Sequence, residues 1–242
     1  MISETCADTI RHPSGRRTHV CVCRPTTSTA APSPSANDPL YDGLAAPVRG
    51  DAATLFSDVP VSNPFYSDIY WMSANGITTG YGDGTYQPAT VVERQAAAAF
   101  LYRMATANPP NPLPSCGAAP FLDVPVSNPF CWQIAWMKTN HIATGDAVSN
   151  FDPTGPTGSL TRQAAAAFLY RYDHPGAADA TCGSQPFTDV PVTNPFCGDI
   201  AWMASSGITT ATGTFNPGGS VDRESMAAFL RRSYTAFGWV RR

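Results

Sequence analysis

Lysine is almost missing from this chain. Of the 15 Lys and Arg residues among 242, one is Lys138 and the other fourteen are Arg. Charge of either sign is scarce: charged residues make up 14% of the chain, against about 25% in ordinary globular proteins. The net charge of −3 gives no whole-molecule field that would point to nucleic acid. No run of about 20 apolar residues occurs, which excludes a membrane-spanning helix. Histidine is limited to His12, His19, His141 and His174. No set of nucleophile, base and acid recurs or stands alone, so neither catalysis nor a cofactor is expected.

An export signal is also missing. Arg16-Arg17 is followed by no apolar stretch, and Val20-Cys21-Val22-Cys23 falls short of the roughly seven to fifteen residues such a segment needs. Thr26 to Pro39 is rich in Thr, Ser, Ala and Pro and reads as a linker. Residues 1–50 are expected to be disordered or misassigned, with three explanations open: a wrong or truncated start, unconventional export, or no export. Cys21-x-Cys23 has no second ligand pair at zinc spacing, so no metal site is expected there.

What is present in quantity is repetition. Phe56-Ser57-Asp58-Val59-Pro60 to Phe65 returns as Phe121 to Phe130 and as Phe187 to Phe196. Asp58, Asp123 and Asp189 set periods of 65 and 66 residues, and a Trp follows 13 residues later each time, at Trp71, Trp136 and Trp202. The step from Asp to a later Arg (Arg94, Arg162, Arg223) is 36, 39 and 34 residues. Length therefore changes only in Gly/Pro/Thr-rich stretches, which marks them as loops.

Each copy predicts helix–loop–helix. Asn63, Asn128 and Asn194 suit N-caps, with Pro64, Pro129 and Pro195 at the first helical position. Gly76 and Gly207 fit left-handed residues after the first helix, a place that copy two fills with His141. The second helix is Ala-rich and so expected to pack on more than one side. One unit cannot bury its apolar face alone, so the three should pack together. The boundaries read as 51–104, 116–172 and 182–234, followed by a tail at 235–242.

Four of the seven cysteines share a register. Cys116 and Cys131 lie seven before and eight after Asp123, and Cys182 and Cys197 do the same around Asp189. Copy one lacks both members, having Asp51 and Tyr66 instead. Joint presence and joint absence predict the disulfides Cys116–Cys131 and Cys182–Cys197, against the alternative of four free buried thiols. Disulfides imply an extracytoplasmic compartment. Cys6 is left without a role, as are Cys21 and Cys23.

Phe-x-Asp-Val, Gly-Ile-Thr-Thr-Gly, Asp-Gly-Thr-Tyr-x-Pro and an Arg opening an Ala-rich helix recur in order over residues 56 to 232. In these blocks the chain resembles the S-layer homology family, three tandem copies being that family's usual number. The resemblance implies a mainly α fold, with three helix–loop–helix repeats packed as a pseudo-threefold bundle. It also implies non-covalent anchoring to secondary cell-wall polysaccharide, often through an acidic, pyruvylated sugar, and an extracellular, wall-associated location. The family's Thr-Arg-Ala-Glu signature is represented by Glu93-Arg94-Gln95-Ala96, Thr161-Arg162-Gln163-Ala164 and Asp222-Arg223-Glu224-Ser225, so Arg is kept and the final Glu is not.

Arg94, Arg162 and Arg223 are thus candidate glycan ligands. A guanidinium grips a carboxylate bidentately, and free N–H groups at the helix start would add to its pull. The competing role is to tie neighbouring repeats together, most simply through Asp58, Asp123 or Asp189. Trp71, Trp136 and Trp202 are candidate sugar-stacking residues, with core or inter-repeat packing as the preferred alternative. A surface module for protein–protein assembly without glycan is the competing function. The oligomeric state and the glycan's identity are not written in the sequence.

Overall fold

A computed structural model describes residues 55–106, 109 and 112–238. The expectations for residues 1–50, including Cys6, Cys21 and Cys23, lie outside the described residues. So does the end of the tail.

The fold is mainly helical. Six helices are seen among the described residues: α1 (Tyr66–Ala74), α2 (Arg94–Ala105), α3 (Cys131–Thr139), α4 (Arg162–Asp173), α5 (Cys197–Ser205) and α6 (Arg223–Phe237). Only isolated β-bridges accompany them there.

The first helix of each copy starts two residues later than the Asn-Pro reading predicts. Asn63 Oδ1 accepts from the Phe65 amide at 2.7 Å, and the Asn63 carbonyl accepts from the Tyr66 amide. Asn128 and Asn194 repeat both bonds. The Asn side chain therefore organises a turn before the helix rather than capping it. At the far end, Gly76, His141 and Gly207 all have left-handed backbone, with φ of 67°, 58° and 71°. The amide that follows each of them, at Ile77, Ile142 and Ile208, reaches back to Met72, Met137 and Met203. This is the Schellman closure, and it drives a fully buried Ile into the core behind the helix.

The second helices carry the core. Ala97 to Leu101, Ala164 to Leu169 and Met226 to Leu230 are buried, as small side chains on close-packed helices must be. Tyr86, Phe151 and Phe215 are buried to 1% exposure or less, each with its ring 5.4 Å from Phe56, Phe121 or Phe187. Asp58, Asp123 and Asp189 hold these aromatics in place. Each carboxylate accepts the aromatic's amide and the next one, at 2.6–2.8 Å.

The copies join in a ring. α2 packs on α3, α4 on α5 and α6 back on α1. Just before the second helices, Val92 N–H donates to Val221, Val221 to Leu160 and Leu160 to Val92, at 2.8–2.9 Å. Disulfides join Cys116 to Cys131 and Cys182 to Cys197, with Cα separations of 5.8 and 5.4 Å. Each ties the connector to the start of α3 or α5.

Candidate functional site

Each recurring Arg reaches out of its own copy. Arg94 Nε–H donates to the Phe151 carbonyl at 2.6 Å, Arg162 to Phe215 at 2.6 Å, and Arg223 to Tyr86 at 2.7 Å. The aromatic segment is thus gripped from two sides, at its amides by the Asp of its own copy and at its carbonyl by the Arg of the copy before. Among the described residues these three Arg make no ion pair with Asp58, Asp123 or Asp189, so the tie between copies runs through main-chain carbonyls instead of the Arg–Asp pair expected from sequence. The guanidinium also lies over aromatic rings: Arg94 over Phe151 and Phe168, Arg162 over Phe215 and Phe229, and Arg223 over Tyr81, Tyr86 and Phe100.

The N–H groups expected to be free at the helix starts are taken. Arg94, Arg162 and Arg223 amides donate to Gly158, Gly219 and Thr90, and the next amides donate to Pro153, Pro217 and Pro88. Those acceptors all belong to a neighbouring copy. Asn128 and Asn194 Nδ2 add bonds to Gln95 and Gln163, and Asn63 Nδ2 does the same to Glu224.

The three Arg differ in what surrounds them. Arg223 is 8% exposed, covered by Tyr81 at 4.8 Å. Arg94 and Arg162 are half-buried. Burial lowers the pKa of both guanidinia from its ordinary value, and nearby carboxylates oppose the shift: Asp152, Asp123 and Asp146 at Arg94, Asp222 and Asp189 at Arg162. Both stay charged at any working pH. Where copy one has Tyr81, copy two has Asp146 and copy three has Thr212.

A groove of about 250 Å³ opens at Arg162. Its walls come from all three copies: Arg162 from the second, Thr210, Ser225 and Arg232 from the third, and Phe65 from the first. Among the described residues, Arg162's terminal nitrogens have no protein acceptor, its single side-chain hydrogen bond being the one from Nε. Arg232 is steadied by a bond from Nη1 to the Ile208 carbonyl at 3.2 Å. Arg103 and Arg171 make the same bond to Ile77 and Ile142. This second recurring Arg was missed from sequence as a functional position, although it closes each Ala-rich run nine residues after the first.

The tryptophans line the seams rather than this groove. Trp71 packs on Tyr234 (5.3 Å), Trp136 on Tyr102 (5.5 Å) and Trp202 on Tyr170 (5.4 Å), each partner lying on the second helix of the preceding copy around the ring. All three remain half-buried. Among the described residues, no group of three or more His, Cys, Asp or Glu is placed to hold a metal ion. No helix there is long and apolar enough to cross a membrane.

Two segments, residues 55–98 and 186–227, match the S-layer homology domain family. They fall in the first and third copies; the middle copy lies outside both. Domains of this family are generally cell-wall anchoring modules rather than catalysts. No curated protein matches the sequence.

Proposed function

We propose that this chain anchors itself non-covalently to the cell wall, on the outer face of the cell, by holding an acidic group of a wall polysaccharide in the groove at Arg162. The units 51–104, 116–172 and 182–234 act together as a pseudo-threefold bundle, since the walls of the groove at Arg162 come from all three. The observation that carries the reading is the composition of that one groove. It offers a guanidinium with uncommitted terminal nitrogens, a second Arg, and the hydroxyls of Thr210 and Ser225. A planar carboxylate matches such a fork. The equivalent site at Arg223 is covered by Tyr81. Arg94 faces three carboxylates, Asp152, Asp123 and Asp146, against two at Arg162, Asp222 and Asp189, so an anion is less favoured there. The glycan contacts thus centre on Arg162, with Arg94 and Arg223 mainly holding the ring closed. Trp71, Trp136 and Trp202 serve the seams first and can offer a sugar only their uncovered edges.

A second reading, protein–protein assembly, draws on a different observation. Val61, Val126 and Val192 occupy one repeat position and are 55–60% exposed. Sedimentation with protein-free cell walls separates the two. The anchoring reading expects co-sedimentation that is lost when the secondary polysaccharide is stripped, and lost again in Arg162→Ala at unchanged helix content. Retention by stripped walls, or full retention of Arg162→Ala, overturns it.

A further inference from the structure

A larger groove, of about 430 Å³, opens elsewhere, beside the end of α4. It is lined by Asn140, His141 and Thr144 from the turn after α3, by Arg171 and His174 from the end of α4, and by the connector up to Asp179. The two histidines among the described residues meet here from 33 positions apart.

His141 occupies left-handed backbone, where the sister turns have Gly76 and Gly207. A side chain is tolerated there less well than Gly. No hydrogen bond from the ring offsets the strain among the described residues.

His174 is fixed in place. Its Nδ1 lies 3.0 Å from the Tyr170 carbonyl, which can only accept, so Nδ1 carries the proton of that bond. The ring stacks on Tyr170 at 4.4 Å and meets Trp202 edge-on at 5.5 Å. Arg171 is held by Asp179 through Nε and Nη2, at 2.8 and 3.2 Å, and by the Ile142 carbonyl. The positions of His141 and His174 are Gly76 and Thr106 in copy one, and Gly207 and Thr235 in copy three. The groove's chemistry therefore belongs to the middle copy alone, the copy outside the S-layer homology matches.

We propose that this groove is an oxyanion site, separate from the groove at Arg162, which takes a phosphate or carboxylate group when His141 and His174 are protonated. With both rings neutral, Arg171 and Asp179 cancel. Protonation adds up to two positive charges and turns both imidazoles into donors. The other charged groups nearby are Asp173 on α4, whose Oδ2 accepts from Ser233, Lys138 on α3, which donates to the Pro120 carbonyl, and Asp199 on α5. Burial pushes the Asp199 carboxyl up to about 6, so it loses its negative charge as the pH falls and acts in the same direction.

The test is NMR titration of the protein with inorganic phosphate at pH 5.5 and pH 8, following the ring signals of both histidines. Saturable shifts are expected at the lower pH, with affinity at least ten-fold weaker at the higher. A site of fixed cations would show the reverse, because phosphate itself carries less charge at pH 5.5. His141→Gly and His174→Thr install the sister residues, so the fold is kept and His141→Gly should raise the melting temperature. Together they should abolish binding. Acetate titrated in parallel assigns the carboxylate if it binds equally, and the phosphate if it does not. Equal affinity at both pH values, or full binding by the double variant, overturns the proposal. Arg162→Ala should leave the titration unchanged, so this site and the wall-anchoring groove fail or stand separately.

Discussion

The seam that closes the ring, between α6 and α1, uses the same repeat positions as the seam between α4 and α5, but treats its charges differently. In the closing seam, Arg231 meets Asp68 at 3.2 Å and Arg223 lies beneath three rings. In the other seam, the position of Asp68 is Asp199, which is 1% exposed and has one carboxylate oxygen without a partner. The position of Arg231 is there Tyr170, and Arg162 keeps its terminal nitrogens uncommitted. A closed seam and an open one are thus made from one motif. The open seam gives up stability, since an unmatched buried carboxylate is costly. It leaves a groove of about 250 Å³ at Arg162.

The largest test of this contrast is truncation of the two Arg. Arg223→Ala should lower unfolding free energy by about 3 kcal/mol, because a buried hydrogen bond and three ring contacts disappear together. Arg162→Ala should lose about 1–2 kcal/mol, its guanidinium being already half in water. Denaturant unfolding of both measures the difference, and a reversed order would break the contrast.

The next test concerns the unmatched acid. The carboxyl of Asp199 is pushed by burial up to about 6, above its value in the unfolded chain. The penalty is therefore fully present above that pH and fades as the pH falls toward about 4, the unfolded value. Asp199→Asn should stabilise the protein by about 2 kcal/mol at pH 7.5, and the gain should vanish by about pH 4. The same change at Asp68 should cost about 0.5 kcal/mol, as the loss of a partly exposed ion pair does. A destabilised Asp199→Asn at pH 7.5 would show that the two seams are equally well matched.

The smallest effect is expected from Tyr81→Thr, which gives copy one the residue of copy three. Losing one ring over Arg223 should lower stability by about 0.5–1 kcal/mol. Retention on protein-free walls should rise if coverage is what closes that site. Unchanged retention would mean that exposure of the Arg does not set binding.

The repeats, the helix–loop–helix unit and both disulfide pairs were legible in the sequence because the same letters return at fixed spacing. The left-handed turn at Gly76, His141 and Gly207 was legible for the same reason. The partner of each Arg was not. Its acceptor is a backbone carbonyl, which every residue carries and no letter marks, so Asp58, Asp123 and Asp189 looked like the natural counter-ions. The helix-start amides misled in the same way, since Gly158, Gly219 and Thr90 accept from them through main chain alone. Exposure of the Arg was readable in principle. Tyr81, Asp146 and Thr212 share one position in a variable loop, where Tyr81 covers Arg223 and Asp146 adds to the carboxylates near Arg94. The meeting of His141 with His174 depends on how the connector folds back, for which periodicity gives no signal.

The ring of hydrogen bonds through Val92, Leu160 and Val221 also sets a rule of number. An open stack of repeats has two ends, and a further copy can be added at either. Here every donor at the hub already has its acceptor, so no end exists. A fourth copy would find nothing to bond to, and removing one would leave two seams unsatisfied at once. Unfolding should accordingly be all-or-none across the three units, and duplication of this architecture should proceed by threes.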